Sequence, residues 1–347
     1  MLSSLASYNG PIFDVQAHAI EPSTFQFVYE TVQPKGSPTN DETAKNVLDI
    51  CQNLADDLSG SARRRALGAE NTQVVTVNTF FPELPLDQLL NIVNNTNNWM
   101  ARATEHKPNL IGTATIAPPP RLAKAGLASD GVAYTAKGVN IVRRAITELG
   151  FKAIMVASNY DDVFLGDASF DPYFSLAHEL AVPIIIHPAV KPVGSSSMSK
   201  QNIGAYAGYL NDQRATLLAM VMSGTLDRYP NLTIIATHLG GGILTSLGRF
   251  EVLQDRFPRD TEYVSPRGNN LKLRHPIDYY LKNLYYDCNN AEVADIHHAM
   301  STVGADRLLT GTDFPWTNDT FTRQILGKLD GHLAGKLAYS NAAKLFK

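Results

Sequence analysis

Eight short runs of apolar, β-prone residues recur along this 347-residue chain. They are IFDVQAH (12–18), QVVTVNTF (73–80), LIGTATIAP (110–118), KAIMVAS (152–158), VPIIIHP (182–188), LTIIATHLGG (232–241), LYYDCN (284–289) and LLTGTDFP (308–315). A parallel strand covered on both faces reads as a continuous apolar run, because neither set of alternating side chains meets water. Between the runs lie stretches of helical period, such as LPLDQLLNIVNNTNNWMARATEH (84–106), GVNIVRRAITELG (138–150) and SFDPYFSLAHELA (169–181). Ser169 stands where an N-cap is expected for the last of these. A long helix is expected around RATLLAMVMSGTLDRY (214–229). Strand and helix alternating eight times is the pattern of a (β/α)8 TIM barrel. An open, doubly wound sheet gives the same alternation, so the choice rests on where the chemistry-bearing residues fall.

No linker divides the runs, and residues 1–347 are expected to form a single barrel domain. The polar segments 30–62, 191–212 and 255–275 read as loop insertions. Thirty Lys and Arg against 33 Asp and Glu leave a net charge of −3 with the signs well mixed, so no basic face invites nucleic acid. The N-terminal MLSSLASYNGP lacks the positive charge and apolar core of a secretory signal. No apolar run approaches the roughly 20 residues that span a bilayer. The two cysteines, Cys51 and Cys288, form neither a disulfide framework nor a CxxC pair. A cytoplasmic location without a membrane partner is the expectation.

In a barrel the active site lies at the C-terminal ends of the strands. The first run ends with Gln16 and His18, two apart and therefore on one side of a strand. The fifth ends in His187 before Pro188, the sixth in His238 before LGGG, and the eighth in Asp313 within TGTDFPW. Such polar groups are costly in apolar runs unless paired or ligated. Any one of them alone is better read as a satisfied core histidine or a capping aspartate. Four runs delivering one at the same end are not explained that way. Imidazole, carboxylate and amide oxygen together suit Zn²⁺, with Mn²⁺ as the alternative, and leave an open coordination position.

DVQAH, IIIHP, RYPNLTIIATHLGGG, PIDYYLKNLYYDC, GADRLLTGTDFPW and the terminal SNAAKLFK, taken together, resemble the amidohydrolase superfamily. The resemblance covers nearly the whole chain and is strongest to the branch related to aminocarboxymuconate-semialdehyde, dihydroxybenzoate and resorcylate decarboxylases. It implies a TIM barrel with metal ligands at Gln16, His18, His187 and Asp313. It also implies that His238 contacts substrate and assists proton transfer, and that Asp313 carries the proton. One departure stands out: Gln16 occupies a position where the family has histidine or glutamate. A neutral amide either leaves the ion one charge more positive than a Glu would, or has left the ion to hold substrate or water. Binuclear relatives use a modified lysine at the end of the fourth strand. Here that run ends in Ala157, Ser158 and Asn159, and Lys152 lies at its start, so one metal ion is expected.

Weaker candidates surround this set. Arg64, within Arg63–Arg65, is placed to bind a substrate carboxylate, although a solvated helix face accounts for most of the triplet. Phe80, Phe314 and Trp316 are placed to sandwich a flat substrate, with ordinary packing as the plainer reading. Asn159 follows the fourth run and is a further substrate-binding candidate. The activity the resemblance implies is metal-dependent, non-oxidative decarboxylation of an aromatic or unsaturated hydroxycarboxylic acid, with Asp313 and His238 moving the proton. Hydrolysis or hydration on the same scaffold, such as lactone opening, is the alternative. A binding protein with a lapsed metal site rests on Gln16 alone. The expected partner is a small carboxylic acid. The family's barrels often form homodimers, although no run in this sequence marks an interface.

Overall fold

The computed structural model describes residues 7–19, 21, 63, 68, 70–77, 84–119, 128–189, 191–194, 198, 203–256 and 273–347. Each of the eight runs contains a strand: β1 (Phe13–His18), β2 (Thr72–Thr76), β3 (Leu110–Thr115), β4 (Ala153–Ala157), β5 (Ile184–His187), β6 (Ile234–Ala236), β7 (Tyr285–Asp287) and β8 (Leu308–Leu309). They lie in chain order in one eight-stranded sheet. Parallel registers include Phe13↔Thr72, Val74↔Ile111, Ala114↔Ile154, Ile185↔Ile235 and Leu309↔Asp287. Beyond β8 the chain pairs back onto β1 through the bridges Asp14↔Thr310 and Ala17↔Phe314. The principal helices are α1 (Leu86–Thr104), α2 (Ala128–Thr147), α3 (Asp171–Leu180), α4 (Tyr209–Met222), α5 (Leu247–Arg256), α6 (Ile277–Lys282), α7 (Val293–Val303) and α8 (Asp319–Leu326).

Two compact units make up the chain. One comprises Met1–Ala117, Asn140–Met155 and Thr310–Lys347, the other Pro118–Val139 and Val156–Leu309. The first buries Val15, Ala17, Val74, Val75 and Ala114 from its strands against Val93 and Met100 of α1. The second buries Ile184–Ile186, Ile234 and Ile235 together with Leu217 of α4 and Tyr173 and Phe174 of α3. The even and odd positions of these strands are both buried, which is why the runs read as unbroken apolar sequence. No helix among the described residues is long and apolar enough to cross a membrane. The expected loop 30–62 lies outside the described residues, as do most of 255–275 and part of 191–212.

The structure corrects several local expectations. Ser169 does not cap α3; it lies in a short 3-10 turn, Ala168–Phe170, and its N–H is capped by the side chain of Asp167. The expected helix around 214–229 starts earlier, at Tyr209, and breaks at Ser223–Gly224, where Gly224 has φ +70°. The strands also end sooner than the runs suggest. β6 stops at Ala236, and His238, Leu239, Gly240, Gly241 and Gly242 follow with φ of +51°, +51°, +62°, +66° and +75°. Asp313, too, has left strand geometry, with φ +59°.

The left-handed turn after β6 accounts for its glycines. A Cβ on Gly241 would stand 2.0 Å from the Leu210 carbonyl oxygen, and one on Gly240 would meet Leu217 and Tyr286 at 2.9 Å. Gly241→Ala therefore combines positive-φ strain with a backbone clash, and is expected to lower stability by about 2–4 kcal/mol. Chemical denaturation of the variant measures this; a midpoint equal to that of the unsubstituted protein would contradict the packing described.

Candidate active site

In the first unit, β1 and the turn after β8 bring Gln16, His18 and Asp313 together. His18 Nε2 lies 2.9 Å from Asp313 Oδ1, and Gln16 Nε2 donates to the same oxygen at 3.1 Å. His18 is buried, whereas the Asp313 side chain is 15% exposed. The Asp313 N–H donates to Gln16 O at 2.8 Å, and the Trp316 N–H donates to Asp313 O at 2.9 Å. The left-handed Asp313 backbone is thereby tied on one side to β1 and on the other to its own turn.

The tautomer of His18 follows from its other nitrogen. Nδ1 lies 2.7 Å from Thr76 Oγ1, and that hydroxyl donates its one proton to Ala17 O at 3.2 Å. The Thr76 oxygen therefore accepts from Nδ1–H, and the Nε2 lone pair faces Asp313. Two lone-pair-bearing atoms at 2.9 Å repel unless a proton or a cation lies between them. The donor chemistry thus fits a divalent ion, with Thr76 as the outer partner that fixes ring orientation.

Asp14 precedes this cluster on β1, before the register irregularity between Asp14 and Ala17. Burial pushes its carboxyl up to about 7, against the opposing hydrogen bonds from Thr312, Gln16 and Gln73. Arg63, also buried, donates to His18 O at 2.5 Å and to Gln73 Oε1 at 3.2 Å, with its guanidinium 4.9 Å from the centre of the Phe314 ring.

In the second unit, His187 Nδ1 lies 3.0 Å from Pro188 O. A carbonyl only accepts, so Nδ1 carries the proton and Nε2 is again the lone-pair nitrogen. The rings of His187 and His238 lie 5.6 Å apart, centre to centre. The His238 N–H is held by Asp287 Oδ1 at 2.9 Å, an oxygen that also accepts from Asn289 N at 3.0 Å. The segment after His187 is fastened by Asp212, which accepts from Ser158 Oγ, from Asn159 Nδ2 at 2.7 Å and from Val193 N at 3.0 Å. Ser158 Oγ in turn accepts from Ala189 N at 2.8 Å.

Asn159 thus holds the loop that follows His187, and also donates to Lys191 O at 3.2 Å. Phe314 is buried against Ala17, and Trp316 is half-buried. Arg64 and Phe80 lie outside the described residues. The sequence reasoning did not single out Thr76, Asp14, Thr312, Asp212 or Asp287. Asp14 could have been found by the rule that picked Gln16 and His18, being one more polar residue on the same parity of an apolar run. Thr76 gave no signal, since threonine is common in strands.

The amidohydrolase family model matches residues 14–347. This chain belongs to the amidohydrolase family. Among characterised relatives, it is 26% identical over 222 residues to gamma-resorcylate decarboxylase of Polaromonas sp. (strain JS666), covering 59% of this chain and 65% of that protein. It is likewise 26% identical over 191 residues to 2-amino-3-carboxymuconate-6-semialdehyde decarboxylase of Dictyostelium discoideum, covering 55% and 51%. The chain therefore spans between half and two thirds of the length of these relatives. Among solved structures, 5-carboxyvanillate decarboxylase from Novosphingobium aromaticivorans with bound manganese superposes with a TM-score of 0.78 at 22% identity, over 97% of each chain. A 2,6-dihydroxybenzoate decarboxylase complexed with 2,6-dihydroxybenzoate gives 0.73 at 17% identity, over 97% of this chain and 99% of that one. These likenesses establish the fold as the amidohydrolase-type (β/α)8 barrel.

Proposed function

We propose that this amidohydrolase-family chain is a metal-dependent decarboxylase of an aromatic or unsaturated hydroxycarboxylic acid. In this reading His18, His187 and Asp313 hold one divalent ion, and Gln16 supplies the fourth strand-end group. The observation that carries it is the convergence of His18 Nε2 and Gln16 Nε2 on Asp313 Oδ1, with the imidazole lone pair turned to the carboxylate. The relatives named gamma-resorcylate decarboxylase support the reaction class, and the manganese in a structural neighbour supports a divalent ion. Zn²⁺ and Mn²⁺ both suit imidazole and carboxylate donors. The family match over 14–347 supports one catalytic domain across the chain. The free thiol of Cys288 suits the cytoplasmic location we propose.

A bound divalent ion supplies Lewis acidity toward a substrate carboxylate and its neighbouring hydroxyl. Asp313, once protonated from solvent, would give that proton to the carbon that bears the carboxylate, with His238 assisting, and return to its carboxylate form. The electron pair of the C–CO₂ bond returns to the ring, CO₂ leaves, and the proton remains in its place. Phe314 and Trp316 both follow Asp313 in sequence and are proposed to meet a flat ring, with the half-buried Trp316 the more accessible of the two. Arg64 and Phe80 are proposed to meet the same substrate.

Purified protein reconstituted with Mn²⁺ and supplied with ortho-hydroxybenzoates and carboxylated catechols is expected to release CO₂ in equal amount to the decarboxylated arene. Base consumption on lactones with no CO₂ would replace this reading with hydrolysis. Absence of both metal uptake and turnover would favour a binding role.

A further inference from the structure

We propose that Asp14 is the positioning residue of the donor set. Its carboxylate clamps the Thr312–Phe314 turn to β1, so that His18 and Asp313 are presented at the spacing a shared ion requires. This rests on the metal-dependent reading above and adds a residue to it.

Asp14 is 1% exposed and lies four residues before His18 on β1, across the register irregularity between Asp14 and Ala17. Its Oδ1 accepts from the backbone N–H of Gln16 at 3.0 Å and of Thr312 at 2.9 Å. Its Oδ2 accepts from Thr312 Oγ1 at 2.6 Å and from Gln73 Nε2 at 3.2 Å. Thr312 Oγ1 in turn accepts from Phe314 N at 3.2 Å. The amides on both sides of Asp313 therefore end on one carboxylate, directly or through one hydroxyl, while the Asp313 amide itself goes to Gln16 O. A second arm runs from Asp14 through Gln73 to Arg63 and so to His18 O. The backbones that carry His18 and Asp313 are thus referred to the same buried group.

Only a carboxylate satisfies this arrangement, because all four donors need an acceptor. An asparagine at 14 has one oxygen. If its amide nitrogen replaces Oδ2, it faces the Gln73 amide nitrogen, and flipping Gln73 turns that nitrogen toward Arg63. If it replaces Oδ1, it faces two backbone N–H groups. Each choice breaks an arm of the clamp while leaving the volume unchanged.

The test uses Asp14→Asn and, as a milder cut, Thr312→Val, which deletes the hydroxyl but keeps the shape. Two readouts are taken on the full chain: amide hydrogen exchange of apo protein over 310–317, and Mn²⁺ affinity by competition with a chelator. Asp14→Asn is expected to speed exchange over 310–317 by about tenfold or more, to leave α7 unchanged, and to weaken Mn²⁺ binding by about ten- to a hundredfold. Thr312→Val is expected to move both readouts in the same direction by less, and it decides the matter if Asp14→Asn does not fold. Unchanged exchange over 310–317, or exchange accelerated equally in α7, overturns the clamp. So does Mn²⁺ affinity equal to that of the unsubstituted protein. Locally faster exchange in a protein that never binds Mn²⁺ supports the clamp and overturns the metal-dependent reading instead.

Discussion

Asp313→Asn is expected to lower kcat by about 10²–10⁴-fold while the protein remains folded. Asparagine has almost the same shape, so the packing of the turn and its backbone hydrogen bonds to Gln16 and Trp316 are retained. What is lost is the carboxyl proton and the negative charge. The neutral amide is also a weaker ligand for a divalent ion than the carboxylate it replaces. Metal content should therefore fall together with turnover. Steady-state CO₂ release and metal analysis of the same preparation check both. Turnover and metal content that both stay near the levels of the unsubstituted protein would sink the assignment of Asp313.

Removal of divalent metal carries the second large effect. Protein dialysed against a strong chelator is expected to lose nearly all CO₂ release and to recover it on addition of Mn²⁺, with Zn²⁺ assayed in parallel. The apo protein should also melt at a lower temperature. An ion present at a hundred times its dissociation constant adds about 2.7 kcal/mol of apparent stability if it binds only the folded chain. A chelated protein that keeps full turnover would exclude a role for the ion in the reaction.

The architecture was legible because burial on both faces writes each strand as an apolar run, as in VPIIIHP and LTIIATH. Polar residues at the ends of such runs then stood out by their cost, which exposed Gln16, His18, His187, His238 and Asp313. Where the strands stop was not legible. Apolarity reports burial, not backbone angle, and His238 and Asp313, both half-buried at the ends of apolar runs, have left strand geometry with φ values of +51° and +59°. The three glycines after His238 were the one visible sign of the left-handed turn. The outer supports were harder still. Thr76, Asp212 and Asp287 act through partners distant in sequence, and only the folded chain shows which backbone group each one holds. The cap of α3 shows the same limit on a small scale, with Asp167 and Ser169 two residues apart and equally plausible by type.

The turn from His238 to Gly242 also restricts how this protein could be re-engineered. A library that randomised 239–242 would return glycine at 241 almost without exception, because any side chain there collides with the Leu210 carbonyl. The three glycines that follow Leu239 therefore present backbone, not side chains, at this end of β6.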